Sequence, residues 1–248
     1  TLVPSQSGGL GMSLSFVRHP KRNFFHARTS MHFLWHSFNI SHYLIDEVGP
    51  DWESQLIQFA LQNVNVIKLS PTNTTSREDD ATHELQNAVV DGTKIRKSAP
   101  WLFDLYRTKF RDFAELATQK RAICAKEDVY AINLNVQIGN RMRYECHVDS
   151  NPIQGMLYVT SHPVGQGGDL VVSNQHDVFG VEEVNKDFTT INPQAGLLVF
   201  FDARRHSHYV RPLVENNDVR VAVAMNYYTD ESPEGNRPPD LSKHLGLE

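Results

Sequence analysis

The stretch "YAINLNVQI" at residues 130–138 decides the fold class of this chain of 248 residues. Apolar and amide side chains alternate along it without interruption from Ile132 to Gln137. Strict alternation is the period of a β-strand, because successive side chains leave a strand on opposite faces. We therefore predict a strand with one apolar face and one amide-bearing face.

More short β-rich runs surround this strand in the second half of the chain. They are separated by Gly, Pro, Asn and Asp, the residues that favour turns. The runs are "GMLYVTS" (155–161), "GGDLVVSN" (167–174), "GLLVFFD" (196–202) and "RVAVAMNYY" (220–228). Residues 128–230 are thus predicted to form a many-stranded, mostly antiparallel sandwich or barrel.

Residues 1–127 have a different texture and are predicted to be a helical and loop region that supports the same domain. Apolar residues recur at helical spacing in 52–60 and again from Leu102 to Phe113. Ser98 before Pro100 is a start signal for the second helix, since proline is favoured in a first turn. The polar segment 70–84 is predicted to be an exposed loop, and the Pro-rich tail 231–248 a loop at the surface.

Composition and charge limit the partners. A formal net charge of −5 argues against a broad surface for nucleic acid. Two cysteines cannot build a disulfide framework, and no apolar run is long enough to span a bilayer. We therefore expect a cytoplasmic protein that binds neither nucleic acid nor membrane, and the sequence leaves its oligomeric state open.

The stretch "YECHVDSN" (144–151) contains His147 and Asp149 with a single residue between them. On an extended segment both side chains leave the same face and can share an ion. A histidine from a distant strand would complete a site of two histidines and one carboxylate, which is typical of non-haem Fe(II) oxygenases. From spacing alone, His206 and His208 are both candidates for that third position.

A second group of histidines lies in the aromatic segment 24–43. No carboxylate or cysteine stands among them at ligand spacing. We predict that they are packing or substrate-facing residues rather than a metal site. They are His26, His32, His36 and His42.

The run 196–230 resembles the last strands of the 2-oxoglutarate- and Fe(II)-dependent oxygenases, and the likeness covers about residues 130–230. The pattern is closest to the prolyl hydroxylase branch, including the enzymes that act on hypoxia-inducible factor. That branch carries Tyr-x-x-His-x-Asp, then His-x-Val-x-Pro, then an arginine. The matching residues are Tyr144, His147 and Asp149, then His208, Val210 and Pro212, and then Arg220.

The resemblance implies a double-stranded β-helix, or jelly roll, braced by N-terminal helices. It also implies Fe(II), 2-oxoglutarate and O2 as cofactors, with His147, Asp149 and His208 as the metal ligands. His208 is preferred over His206 because only His208 has the family's Val and Pro at the expected offsets. His206 is then a residue at the rim of the site.

The resemblance assigns the far carboxylate of 2-oxoglutarate to Arg220, helped by Tyr158. Gln137 stands where the prolyl hydroxylases carry a tyrosine, so we expect it to share cosubstrate binding with Asn135. Asn226 stands where those enzymes carry a tryptophan. The segment between His208 and Arg220 is also longer here.

The implied reaction is hydroxylation of an unactivated C–H bond in a small metabolite or amino acid, with release of succinate and CO2. Halogenating relatives carry a small residue at the position of Asp149, so its presence favours hydroxylation. The expected substrate contacts are Tyr144, Asn226, Tyr228 and His206. Two alternatives remain open: hydroxylation of a prolyl or other protein side chain, and a metal-binding jelly roll without catalysis.

Overall fold

The computed structural model describes residues 35–69, 75–78 and 85–244. Within them the chain forms twelve strands and eight α-helices. The strands are β1 (Trp35–Asn39), β2 (Asn65–Leu69), β3 (Leu85–Val90), β4 (Ile123–Cys124), β5 (Ile132–Ile138), β6 (Tyr144–His147), β7 (Ile153–Tyr158), β8 (Leu170–Ser173), β9 (Phe188–Ile191), β10 (Leu197–Phe201), β11 (His208–Val210) and β12 (Val219–Tyr228). The helices are α1 (Ser41–Glu47), α2 (Trp52–Asn63), α3 (Gly92–Ser98), α4 (Pro100–Arg107), α5 (Lys109–Thr118), α6 (Asp128–Ala131), α7 (Val181–Val184) and α8 (Leu241–His244).

The strands form two antiparallel sheets. The main sheet has the order β1-β10-β7-β12-β5-β3-β2, with β4 also pairing with β12, and the minor sheet has the order β6-β11-β8-β9. Consecutive strands often lie in different sheets, which is the arrangement of a jelly roll. The prediction of a mainly β fold braced by helices is confirmed.

The main sheet buries apolar side chains on the face that the helices cover. Val221, Val223, Met225 and Tyr227 of β12 belong to the same core cluster as residues from α2 to α5. Burying one such side chain contributes about 1.5–3 kcal/mol. This layer therefore holds the helices against the sheet.

The other face of the main sheet looks towards the minor sheet. Here β12 pairs with β5 so that Arg220 lies opposite Gln137, Ala222 opposite Asn135 and Ala224 opposite residue 133. The predicted amide face of β5 is consequently on the same side as Arg220. This inter-sheet face positions the functional side chains.

The N-terminal half differs from the expectation in three respects. Strands β1 to β4 join the main sheet, although the sequence suggested helices and loops. The helix expected from Leu102 to Phe113 is broken at Thr108, whose φ of −121° and ψ of −93° are not helical, which separates α4 from α5. Ser98 ends α3, and Ala99 precedes Pro100 without a side-chain cap.

Parts of the predicted loop and histidine segments lie outside the described residues. These include His26, His32 and most of segment 70–84. His36 lies on β1 and His42 on α1. No helix in the described part of the chain is both long and apolar enough to cross a membrane.

Candidate metal and cosubstrate site

Three side chains converge where the minor sheet begins. His147 ends β6, His208 begins β11, and the two are direct partners in the antiparallel pair. Asp149 follows two residues after His147, and its backbone N–H donates to the carbonyl of Ala203 at 2.9 Å. The potential ligand atoms of the three residues lie within 4.8 Å of one another.

Backbone carbonyls fix both imidazole rings. Nδ1 of His147 lies 2.8 Å from the carbonyl of Glu145, and Nδ1 of His208 lies 2.9 Å from that of His206. The Nε2 atoms then face Asp149, at 3.4 Å for His147 and 3.7 Å for His208. Histidines that bind a metal through one ring nitrogen usually donate a hydrogen bond from the other nitrogen. That hydrogen bond fixes the tautomer and the orientation of the ring.

The three groups perturb one another strongly. Burial and the neighbouring His147 lower the pKa of His208 to about 4. Burial lowers the pKa of His147, but the hydrogen bond that its ring donates to the Asp149 carboxylate, together with the charge of that carboxylate, more than offsets burial, so that the pKa is raised. Burial opposes ionisation of Asp149, yet the two histidines hold its pKa below the usual value. The donors are thus a neutral imidazole, a second imidazole and a carboxylate, which suit a divalent metal.

Arg220 and Tyr158 lie together in a buried corner beside this cluster, with the guanidinium carbon 5.5 Å from the centre of the tyrosine ring. Arg220 is 1% exposed and Tyr158 is fully buried. Nε of Arg220 donates to the carbonyl of Gly168 at 2.7 Å. Nη2 of Arg220 and the hydroxyl of Tyr158 have no hydrogen-bond partner among the described residues. Buried donors without a partner are costly, and a carboxylate would satisfy them.

Burial changes both ionisations in this corner. It lowers the pKa of Arg220 and raises the pKa of Tyr158 to about 12. The residue whose carbonyl binds Arg220, Gly168, has a φ of +71°, a conformation that favours glycine. A Cβ at this position would lie 3.0 Å from Cδ of Arg220. A side chain at position 168 would therefore displace the guanidinium.

The remaining predicted residues separate into two groups. Tyr144, Asn135, Asn226 and Tyr228 line the same cavity as the metal cluster and Arg220. Gln137 does not line it: its amide nitrogen donates to the carbonyls of Met142 and Arg211, at 3.2 and 3.1 Å.

His206 also lies apart from the cavity. Its Nε2 is 3.0 Å from Nε2 of His176, and its Nδ1 is 2.9 Å from the carbonyl of Ser173. The structure thus brings His208 to Asp149 and places His206 in the turn before β11, against His176.

The cavity has about 870 Å³ of empty space, counted to its open mouth. Several lining residues were not predicted. Asn133 was recognisable, since it shares the amide face of β5 with Asn135. Nothing in the sequence indicated the others, which come from distant segments. They include Thr75, Gln154, Met156, Leu170 and Leu241.

The comparisons with known proteins agree with this geometry. Residues 132–228 match the family model of the 2OG-Fe(II) oxygenase superfamily. The strand-rich second half of the chain is therefore similar to that superfamily. No curated relative matches the sequence.

Three solved structures with a similar fold are distant from this chain in sequence. AviO1 from Streptomyces viridochromogenes Tue57 is 14% identical with a TM-score of 0.56, over 82% of this chain and 93% of that one. The α-ketoglutarate-dependent carbocyclase SnoK from nogalamycin biosynthesis is 13% identical with a TM-score of 0.54, over 88% and 87%. A prolyl hydroxylase from Trichoplax adhaerens, in complex with a hypoxia-inducible factor peptide, is 14% identical with a TM-score of 0.50, over 78% and 90%.

The residues present fit the cofactors of the superfamily. The cofactors are Fe(II) and 2-oxoglutarate, with O2 as the cosubstrate. Two imidazoles and a carboxylate provide the donor set for the metal. The unpartnered donors of Arg220 and Tyr158 provide a place for a carboxylate of 2-oxoglutarate.

Proposed function

We propose that this protein is an Fe(II)- and 2-oxoglutarate-dependent dioxygenase that hydroxylates an unactivated C–H bond of a small metabolite or amino acid. One observation carries the proposal: the cluster of His147, Asp149 and His208 shares its cavity with the buried cation of Arg220. A metal site with only a structural role would not explain why a guanidinium with an unpaired donor is buried in the same cavity. A dicarboxylate that binds the metal at one end and Arg220 at the other explains both features.

Each residue has a defined task in this proposal. His147, Asp149 and His208 hold the metal on one side and leave the cavity side open. Arg220 and Tyr158 bind the far carboxylate of 2-oxoglutarate, and Gly168 orients the guanidinium through its carbonyl. When bound, iron, 2-oxoglutarate and O2 supply the oxidation, in which 2-oxoglutarate becomes succinate and CO2 while one oxygen atom enters the substrate C–H bond.

Apolar side chains restrict water around the metal cluster. Met156, Leu170 and Val210 line the cavity near the two histidines, and Phe201 packs edge-on against His208 with ring centroids 5.4 Å apart. A drier site strengthens the charge interactions that position the cosubstrate. A cytoplasmic location remains a prediction.

The first test is an anaerobic titration with Fe(II) and 2-oxoglutarate, recorded by the weak visible charge-transfer band of the chelate. We expect the band in the wild type, its loss in His208→Ala, and a much higher 2-oxoglutarate requirement in Arg220→Ala. His42→Ala and Arg205→Ala are matched controls, because both side chains are exposed and lie outside the cavity. A folded wild type without the band would refute the oxygenase and favour a metal-binding module.

A further inference from the structure

The cavity has a neutral polar wall that neither the metal cluster nor Arg220 uses. Its members are asparagines on the cavity face of the main sheet: Asn133 and Asn135 of β5, and Asn226 of β12. We infer that the substrate is an uncharged small molecule that presents hydroxyl or amide groups to these three asparagines. The inference rests on the proposed function and specifies the substrate class of the same site.

The strand register gives the wall its shape. Asn135 lies opposite Ala222, and Asn133 lies opposite Ala224, on the neighbouring central strand. The small side chain of Ala224 lines the cavity beside Asn133, whereas Ala222 is fully buried in the apolar cluster between the sheets. Asn226 continues the same face of β12 two residues beyond Ala224, because side chains alternate along a strand.

The hydrogen bonds within the wall leave specific atoms available. Nδ2 of Asn135 donates to Oδ1 of Asn133 at 2.8 Å. Asn135 is 8% exposed, and its Oδ1 has no partner among the described residues. Nδ2 of Asn226 donates to the carbonyl of Tyr130 at 2.7 Å, which fixes that amide and leaves its Oδ1 as an acceptor.

A ligand group that donates a hydrogen bond would satisfy the open acceptor of Asn135. The carboxylates and the keto group of 2-oxoglutarate only accept hydrogen bonds, so the cosubstrate cannot satisfy Oδ1 of Asn135. A hydroxyl or amide group both donates and accepts. It can therefore donate to Oδ1 of Asn135 while it accepts from Nδ2 of the neighbouring Asn133.

The charges around the cavity argue against an ionised substrate. Apart from tyrosines, the ionisable side chains among its described lining residues are His147, Asp149, His208 and Arg220. All four are assigned to metal and cosubstrate, so none remains to pair with a substrate carboxylate, phosphate or ammonium group. Burying an unpaired charge costs far more than burying a neutral group that keeps its hydrogen bonds.

The test uses the full chain loaded with Fe(II) and 2-oxoglutarate, and measures succinate released above the rate without substrate. The probes are sets of compounds with one carbon skeleton, each offered as the alcohol, primary amide, carboxylate, amine and phosphate ester. Asn133→Asp adds a negative charge to the wall at constant size. Asn217→Asp, in the exposed turn before β12, is the matched control.

We expect alcohols or amides to stimulate succinate release by at least about tenfold over their charged counterparts. Asn133→Asp should reduce that stimulation by about tenfold and shift the preference towards amines, while Asn217→Asp should behave as the wild type. The inference is overturned if a charged member stimulates more than its neutral partners, if no neutral member stimulates, or if Asn133→Asp matches Asn217→Asp. Succinate released without substrate, together with the charge-transfer band, reports separately on the proposed function.

Discussion

The two faces of the main sheet carry different kinds of side chains on the same strands. On the helix side, β5 and β12 present residues such as Leu134 and Val223, which are fully buried in an apolar core. On the cavity side, the alternate residues include Asn133, Asn135 and Arg220, and the last two keep a buried polar atom without a partner among the described residues. Apolar residues also pack between the sheets, but the cluster on the helix side is larger, and ligand binding is expected only on the cavity side. Substitutions on each face should separate stability from ligand binding.

The largest effect is expected from removing a proposed metal ligand on the cavity side. His208→Ala should lower substrate-independent succinate release more than about 100-fold, beyond what the loss of a supporting contact costs. The free energy of unfolding of the metal-free protein should fall by about 1–3 kcal/mol, because the buried ring loses its contact with Phe201 and its hydrogen bond to a backbone carbonyl. Metal content after dialysis and urea unfolding measure the two quantities. Succinate release at the wild-type rate would remove His208 from the ligand set.

A pair of adjacent residues tests the contrast between the faces directly. Leu134→Ala should reduce the free energy of unfolding by about 2–5 kcal/mol, because it opens a cavity in the helix-side core. Asn133→Ala should reduce it by less than about 1 kcal/mol, since the amide borders the open cavity. Urea unfolding of both variants provides the comparison. Equal losses would show that the two faces do not differ as described.

Arg220→Met sharpens the contrast by giving the cavity side an apolar residue of similar length. We expect the 2-oxoglutarate dissociation constant to rise by about 10- to 100-fold, from the loss of charge-assisted hydrogen bonds. The apo protein should be as stable as the wild type or more so, because an unpaired buried cation is removed. Binding and thermal unfolding are measured on the same sample. A variant that is less stable than the wild type but binds 2-oxoglutarate with the wild-type dissociation constant would contradict the role assigned to Arg220.

The smallest effect concerns the contact that holds β6. Glu78 pairs with Arg143 through both carboxylate oxygens and accepts from the backbone N–H of Cys146 at 2.6 Å, next to His147. Burial opposes ionisation of Glu78, but Arg143 lowers its pKa below the ordinary 4.5. Its stabilisation is therefore complete above pH 4.5 and is lost as the pH falls through the lower folded-state pKa.

Glu78→Gln should cost about 1–3 kcal/mol of unfolding free energy at neutral pH. The difference from the wild type should shrink below pH 4.5, where the native carboxylate takes up its proton. Glu183→Gln is the control, since its ion pair with Lys186 is exposed and should contribute less than about 1 kcal/mol. A difference that stays constant with pH would assign the contact to packing rather than charge.

Local patterns predicted part of this structure well. The alternation in residues 130–138 gave β5 and its amide face, and helical spacing gave α2. Spacing identified His147 and Asp149 but left His206 and His208 both open, and the resemblance to the oxygenase motif selected His208. The fold brings His147, Asp149 and His208 together, because β6 and β11 pair directly at the two histidines. The order of strands could not be read, and neither could the recruitment of β1 to β4, since pairings between distant segments leave no local period.

The errors have similar causes. Ser98 looked like a helix start, but a preceding turn of helix ends there, and sequence does not show where one helix stops and another begins. Gln137 alternates in step with Asn133 and Asn135 and so belongs to the amide face of β5. Its amide nitrogen nevertheless donates to the backbone carbonyls of Met142 and Arg211. Parity gives the face of a side chain and not its partners. Leu241 and Thr75 line the cavity but lie outside the strands, and only the folded chain shows that they reach it.

The two alanines of β12 carry a consequence for regioselectivity. Ala222 and Ala224 lie about 7 Å apart on the same face of the strand, beside the asparagine wall. Ala222 is fully buried and Ala224 lines the cavity. If the wall anchors the polar end of a substrate, the side-chain volume at position 224 therefore sets how far the molecule enters, and hence which carbon comes nearest to the metal ligands. A single enlarged residue there would redirect oxidation along the carbon chain without altering the machinery that performs it.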